Sequence, residues 1–334
     1  MKKLLLFALF GIFISLTTAE VMLRCFGFTP WQPIPIEDDV KYYPKSPFYQ
    51  DTILGYKMHS GSYDITYGGN YTFRVTIDSG GYRVVSSARK SGNKKLLIFG
   101  DSFTLGSGLN DDEVYPKLLQ DSLSDFWVKN YAIPGYGVAN VYTQITTMFL
   151  PDSGDLCIYS YFKQHDNRYI RSVLKMMYAN LKIMGSLGFM RLSEQSGEIT
   201  SVFQPYNYKM CFLSPYSALA NLLEDSYNSF IDKQENLVYE ELAQKAVFAM
   251  DSFCKSRGAT FVLYGIQRDD GTEKMLNFCS EHKILSLDIS VDLNDNKFNQ
   301  MPYDNHPNAY SNRLFAKKIL RHLSSFVVAD VVND

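Results

Sequence analysis

From Lys95 onward the chain alternates short, mostly apolar runs with helix-length stretches, and nothing else limits its fold as strongly. The runs are Leu96–Phe99, Trp127–Ile133, Leu156–Phe162, Thr260–Tyr264 and Ile284–Ile289. A strand that is apolar on both faces has to be covered on both faces, which an antiparallel hairpin seldom provides. Alternation with helices therefore predicts a parallel sheet with helices above and below. The last helix is expected from about Ala309 to Phe326, with Phe315, Ile319 and Leu323 at i, i+4 and i+8 on its inner face. With 334 residues, 46% of them hydrophobic, the chain can bury such a core in one large domain or two modest ones.

The flanks of this pattern differ from it. Between residues 26 and about 92 stand Pro30, Pro33, Pro35, Pro44 and Pro47, then the alternating run Tyr71–Ile77. Glycine pairs at 68–69 and 80–81 punctuate it, so hairpins are expected after an irregular linker. The stretch 171–244 is rich in Met, Leu and Tyr and too long for a simple crossover. It reads as a mainly helical insertion near the sheet's C-terminal edge. The expected organisation is a targeting segment at 1–24, a linker and small β extension at 25–92, and the main domain at 93–334.

Residues 1–19 read MKKLLLFALFGIFISLTTA, two lysines followed by an uncharged run up to Glu20. Such a segment belongs to targeting. From Leu4 to Ala19 it spans about 24 Å as a helix, short of the ~30 Å hydrocarbon core. Continuing through Leu23 reaches full span with Glu20 at the interface. Thr17 and Ala19 also suit a signal peptidase, so an uncleaved anchor and a cleaved signal are both open. Either way Lys2 and Lys3 stay on the cytoplasmic side and the working domain lies across the membrane. The expected location is extracytoplasmic, either membrane-anchored or secreted.

Lys plus Arg total 33 against 35 Asp plus Glu, a formal charge of −2, without the basic surplus of a nucleic-acid binder. The five cysteines, at 25, 157, 211, 254 and 279, form no CxxC pair, and the five histidines show no zinc spacing. Gly106-Ser107-Gly108 lacks the remainder of a phosphate loop. No cofactor and no metal are expected. Asp111-Asp112-Glu113 reads as an acidic turn before a helix, Asp269-Asp270-Gly271 as a turn after the fourth strand, and His322 as a solvated residue of the last helix.

Chemistry concentrates at two places. Leu96–Phe99 runs into Gly100-Asp101-Ser102, and ligands of doubly wound sheets bind where strands end. A serine presented there is a nucleophile if a base reaches it; otherwise it is a helix cap. Near the other end, Tyr303-Asp304-Asn305-His306-Pro307-Asn308 precedes the last helix. A loop histidine two residues after an aspartate can serve as a base oriented by that carboxylate.

Together, Gly-Asp-Ser after the first parallel strand and Asp-x-His-Pro-Asn before the last helix resemble the SGNH/GDSL hydrolase superfamily over residues 95 to 327. The resemblance implies a flavodoxin-like three-layer α/β/α sandwich and esterase, lipase or carbohydrate-deacetylase chemistry. It also implies Ser102 as nucleophile, His306 as base and Asp304 as the orienting acid. The family's second block matches Asn130–Gly137 and assigns Gly135 to the oxyanion hole beside the Ser102 amide. Its third block normally supplies an asparagine in Gly-x-Asn-Asp. Here the third strand ends Tyr161-Phe162-Lys163-Gln164-His165-Asp166-Asn167-Arg168, which leaves His165 and Asn167 as substitutes. Many relatives place the acid three residues before the histidine, where this chain has Tyr303.

The resemblance extends, more generally, to a membrane-attached bacterial branch with a β extension such as that around 51–83. It implies an extracytoplasmic serine esterase whose substrate is an acyl ester, O-acyl groups of envelope or exported polysaccharide among them. Acyl transfer by the same triad, and a non-catalytic envelope binding or assembly protein on this fold, are the alternatives.

Overall fold

A computed structural model of the chain describes residues 2–33, 40–85, 94–166, 168, 170–176, 188–205 and 208–331. These fall into two compact units. One contains 1–35, 169–186 and 206–237, and the other contains 36–168, 187–205 and 238–334.

The second unit opens with five short strands, β1 (Val40–Tyr43), β2 (Phe48–Asp51), β3 (Gly55–Met58), β4 (Gly61–Tyr67) and β5 (Tyr71–Ile77). β1, β4 and β5 form an antiparallel sheet, and β2 and β3 form a hairpin. The expected turn at 68–69 joins β4 to β5, with Gly68 and Gly69 both at positive φ (53° and 77°), which L side chains avoid. One face of β4 and β5 (Tyr63, Ile65, Phe73, Val75, Ile77) is buried with Leu105 and Ala132. The extension thus packs directly on the chain segments that follow the first two sheet strands.

The central sheet is parallel throughout. Its strands are β6 (Lys94–Phe99), β7 (Phe126–Asn130), β8 (Leu156–Tyr161), β11 (Thr260–Gln267) and β12 (Leu285–Val291), in the spatial order β12-β11-β8-β6-β7. Counted in chain order this is 2-1-3-4-5, the flavodoxin-like winding. All six residues of β8, the middle strand, are buried. Alternate side chains feed two cores. Leu97, Phe99, Cys157, Tyr159, Phe261 and Leu263 face one side, and Leu96, Ile98, Ile158, Val262, Tyr264 and Ile266 face the other.

Helices cover both faces. After the one-turn α2 (Ser102–Leu105) come α3 (Tyr115–Ser122), α4 (Val138–Thr143), α5 (Arg171–Met176), the long α6 (Ala218–Ser256), α7 (Asp270–Glu281) and α8 (Ala309–Val331). Tyr115 and Leu119 of α3 share a core with Phe315, Ile319 and Leu323 of α8, the expected inner face of the last helix. Ala243, Ala246, Val247 and Met250 of α6 close the opposite face with Met275 and Cys279 of α7. This is a three-layer α/β/α sandwich.

The 171–244 stretch, expected to be mainly helical, holds α5 and the first part of α6. It contains a β-hairpin, β9 (Phe189–Gln195) and β10 (Glu198–Gln204). Met190 and Leu192 sink into the core beside Tyr239. The hairpin therefore belongs to the sheet-bearing unit, whereas 169–186 and 206–237 group with residues 1–35. Within that other unit, α5 is tied to α6 through Lys175, which donates to Asn221 and Asp225 (both 2.7 Å). Arg171 and Ser172 likewise donate their backbone N–H groups to Asp232 (2.8 and 3.0 Å). The same unit holds α1 (Lys2–Cys25), an apolar helix long enough to cross a bilayer.

His322, expected to be solvated, is partly buried. Its Nδ1 lies 3.1 Å from the Tyr264 hydroxyl, and burial lowers its pKa. Asp269 accepts the Thr272 N–H at 2.7 Å and caps α7. All five cysteines are free thiols.

Candidate active site

β6 lies between β7 and β8, where the winding reverses direction, and in such sheets that crevice at the strand ends is where ligands bind. Ser102 leaves β6 there. Asp101 caps α2 by accepting the Phe103 N–H at 3.0 Å. Gly100 is confined by the Thr104 side chain, which a Cβ at 100 would strike. The expected nucleophile position is thus a tight strand-to-helix turn.

The partner residues arrive on an extended segment rather than the loop expected for His306. β13 (Asn299–Gln300) pairs antiparallel with β14 (Asp304–Pro307). Alternate residues of an extended strand point the same way, so Asp304 and His306 share a face. His306 Nδ1 lies 2.5 Å from Asp304 Oδ2, and His306 Nε2 lies 2.8 Å from Ser102 Oγ. Asp304 accepts the proton on Nδ1, which leaves Nε2 as acceptor for the serine hydroxyl. Both side chains are about one-quarter exposed, open to a substrate yet shielded enough to hold their geometry. Asn308 then caps α8 by accepting the Ser311 N–H at 3.0 Å, and its amide holds the carbonyls of Lys297 and Asn299 (both 2.8 Å). Phe103 meets the His306 ring edge-on at 5.2 Å and stacks on Phe162 at 5.0 Å.

Gly135 lies in the turn after β7. Its φ is 82°, and a Cβ there would come within 2.5 Å of the Tyr56 hydroxyl. Asn130, at the end of β7, donates to the Thr104 carbonyl at 3.0 Å and accepts from the Ala132 N–H at 3.1 Å, linking this turn to α2. Asn167 lies outside the described residues.

His165, expected as an oxyanion donor, is buried. It is 1% exposed, with Nδ1 3.0 Å from the Tyr159 hydroxyl and Nε2 3.4 Å from Asp101 Oδ2. Both ring nitrogens point into the protein, so the ring has no donor to offer an oxyanion. Burial lowers its pKa despite the neighbouring carboxylate, and the ring is neutral near pH 7.

Among the described residues of this block, Arg168, which no sequence pattern singles out, reaches the site. Its guanidinium pairs with Asp101 Oδ2 and lies 5.2 Å from the Phe162 ring. Burial by itself would raise the Asp101 pKa. Arg168, His165 and the Phe103 N–H outweigh that and hold the carboxyl below the usual carboxylate range. Asp101 thus stays ionised under Ser102, with Oδ2 3.4 Å from the serine oxygen.

Two further residues hold the loops. Arg83 is 2% exposed, donates to the carbonyls of Leu105, Gly106, Leu109 and Arg74, and pairs with Asp111 at 2.9 Å. Asp111, expected as part of an acidic turn, also accepts the Thr76 N–H at 3.1 Å. Gln300 donates to the carbonyls of Ser107 (2.7 Å) and Pro307 (3.1 Å), joining the loop after Ser102 to the strand that carries His306.

No family model and no curated protein matches the chain. Among solved structures it is similar to the psychrotrophic esterase EstA from Pseudoalteromonas sp. (13% identity, 70% of this chain and 99% of that one, TM-score 0.41). It is also similar to a member of the lipolytic protein G-D-S-L family from Veillonella parvula (12%, 68% and 97%, TM-score 0.39). A third is the acetylxylan esterase Axe2 from Geobacillus stearothermophilus (14%, 71% and 96%, TM-score 0.37).

Proposed function

We propose that the chain is an extracytoplasmic serine hydrolase of the SGNH/GDSL type that cleaves acyl esters, O-acyl groups of envelope or exported polysaccharide being the substrate class. The observation that carries this reading is the hydrogen-bonded series Ser102–His306–Asp304, assembled at the sheet's switch point. Each contact has the polarity a nucleophile needs. The apolar helix α1 supports a place at a membrane.

In the mechanism, Ser102 Oγ forms a bond to the ester carbonyl carbon while its proton passes to His306 Nε2. Asp304 stabilises the imidazolium through Nδ1–H. The negative charge on the carbonyl oxygen is met by the N–H groups of Ser102 and Gly135, which follow adjacent parallel strands. As the tetrahedral intermediate collapses, the alcohol leaves with the proton from His306. Water then attacks the acyl-enzyme, gives its proton to His306, and Ser102 departs from the acid product with that proton restored.

Fluorophosphonate labelling and aryl-acetate hydrolysis by the full chain in detergent test the proposal. Both should vanish in Ser102→Ala, and turnover should vanish in His306→Ala. A folded native protein that neither labels nor hydrolyses any acyl ester offered would overturn it.

A further inference from the structure

α1 ends firmly. The Gly27 N–H bonds the Arg24 carbonyl at 3.1 Å, the Phe28 N–H bonds the Leu23 carbonyl at 3.0 Å, and Gly27 takes φ 88°. This left-handed cap stops the helix at a defined residue. Between Lys3 and Arg24 the helix rises about 31 Å, close to the ~30 Å hydrocarbon thickness. The side chains along it, from Leu4 (77% exposed) to Leu16 (53%), are exposed.

Its polar end is built into the same unit. Glu20 accepts from Ser217 Oγ (2.7 Å) and from the N–H groups of Ala218 and Leu219 (both 2.9 Å), the first of α6, and it pairs with Arg24 at 2.6 Å. Arg24 also donates to the Tyr216 carbonyl (2.9 Å), and the Trp31 N–H bonds the Ser214 carbonyl (2.8 Å). The 211–217 loop is therefore held beside the last turn of α1, almost two hundred residues away in sequence. The residues gathered there are apolar and bare: Phe26 is 75% exposed, Phe212 78% and Tyr216 76%, with Phe28 and Leu213 near one-half.

We infer that residues 26–28 and 211–217 form one lipid-facing surface, seated in the headgroup layer of the bilayer that α1 crosses. The inference rests on the membrane-anchor reading above. Continuity with α1 selects the occupant, since the aromatic rings begin within one turn of the helix end. Aromatic side chains favour that depth of a membrane. Glu20 brings no net charge to it, because Arg24 and the first N–H groups of α6 compensate the carboxylate.

The test uses the full chain in phosphatidylcholine vesicles, with Phe212→Trp and, separately, Tyr216→Trp, each read as the difference from the parent protein. The added indole should emit to the blue of an aqueous indole and be shielded from iodide. It should lose most of its emission when the lipid is brominated near the headgroup end of its chains. Intact mass and alkaline-carbonate extraction are measured on the same samples. Full-length, carbonate-resistant protein whose added indoles are quenched by iodide and indifferent to bromolipid would sink the surface while leaving the anchor standing. Loss of residues 1–19, or release by carbonate, would remove the anchor and the surface together. Shielding from iodide without bromolipid quenching, accompanied by cross-linked dimers, would assign the patch to a second copy and overturn the inference.

Discussion

Asp304 and His306 are paired because they stand two apart on an extended backbone, on the side of Ser102. Asp304→Asn would present a donor where His306 needs an acceptor and favour the wrong tautomer. The expected result is a kcat fall of about four orders of magnitude with KM little changed, read by steady-state hydrolysis of an aryl ester. Asp101 has a different task, as a buried carboxylate neutralised by Arg168. Arg168→Met should strand that charge and cost about 3 kcal/mol of stability, measured by urea unfolding. Adding Asp101→Asn should recover much of the loss, since the stranded charge is gone. If the double variant is no more stable than the single one, the pairing is not what Arg168 contributes.

Short elements around the site are set by what reaches them from afar. α2 has four residues, too few to hold itself. Its exit loop is fixed by Arg83, whose guanidinium meets four carbonyls and Asp111. Arg83→Met should leave those carbonyls and a carboxylate short of donors, lowering stability by about 3–5 kcal/mol. The urea midpoint should fall with an unchanged slope, provided unfolding stays cooperative. Gln300 spans the segments that follow Ser102 and carry His306. Gln300→Leu should lower kcat more than it raises KM, because it loosens the approach of His306 to Ser102 rather than substrate contacts. An isolated rise in KM would contradict that role. These ties are not legible along the chain, because each residue is a buried polar side chain whose acceptors come from distant turns.

At the scale of the whole molecule, buried ionisable groups make stability respond to pH with opposing signs. His165 has a lowered pKa, so its contribution is complete above the unfolded value near 6.5 and is lost as pH falls. Asp101, held below the carboxylate range, acts in the same direction at lower pH. Asp166 runs the other way. Burial, only partly offset by Lys163, raises its pKa to about 6. Its contribution is complete below the unfolded value of about 3.9 and is lost as pH rises through about 6. Asp166→Asn should therefore make stability climb more steeply from about pH 4 to pH 6, seen as urea midpoints across that range. A flatter profile would mean that Asp166 is ionised in the folded state throughout.

The layered architecture follows from patterns local to the chain. Five apolar runs alternating with helices leave few alternatives to a parallel sheet covered on both faces, and the segments at 100–102 and 304–306 were legible because strand ends and Asp-x-His spacing are local properties. The face of α8 was legible for the same reason, as a periodicity within one element. The inward turn of His165 to Tyr159 and Asp101, the pairing of Arg168 with the Asp101 carboxylate, and the joining of a hairpin at 189–204 to the sheet-bearing unit emerge in the folded molecule. Each of these depends on a partner distant in the chain or on the direction in which a buried side chain turns. Burial makes an unsatisfied polar group costly, so such side chains go wherever the assembled core offers a partner, and that core does not exist until the strands have come together.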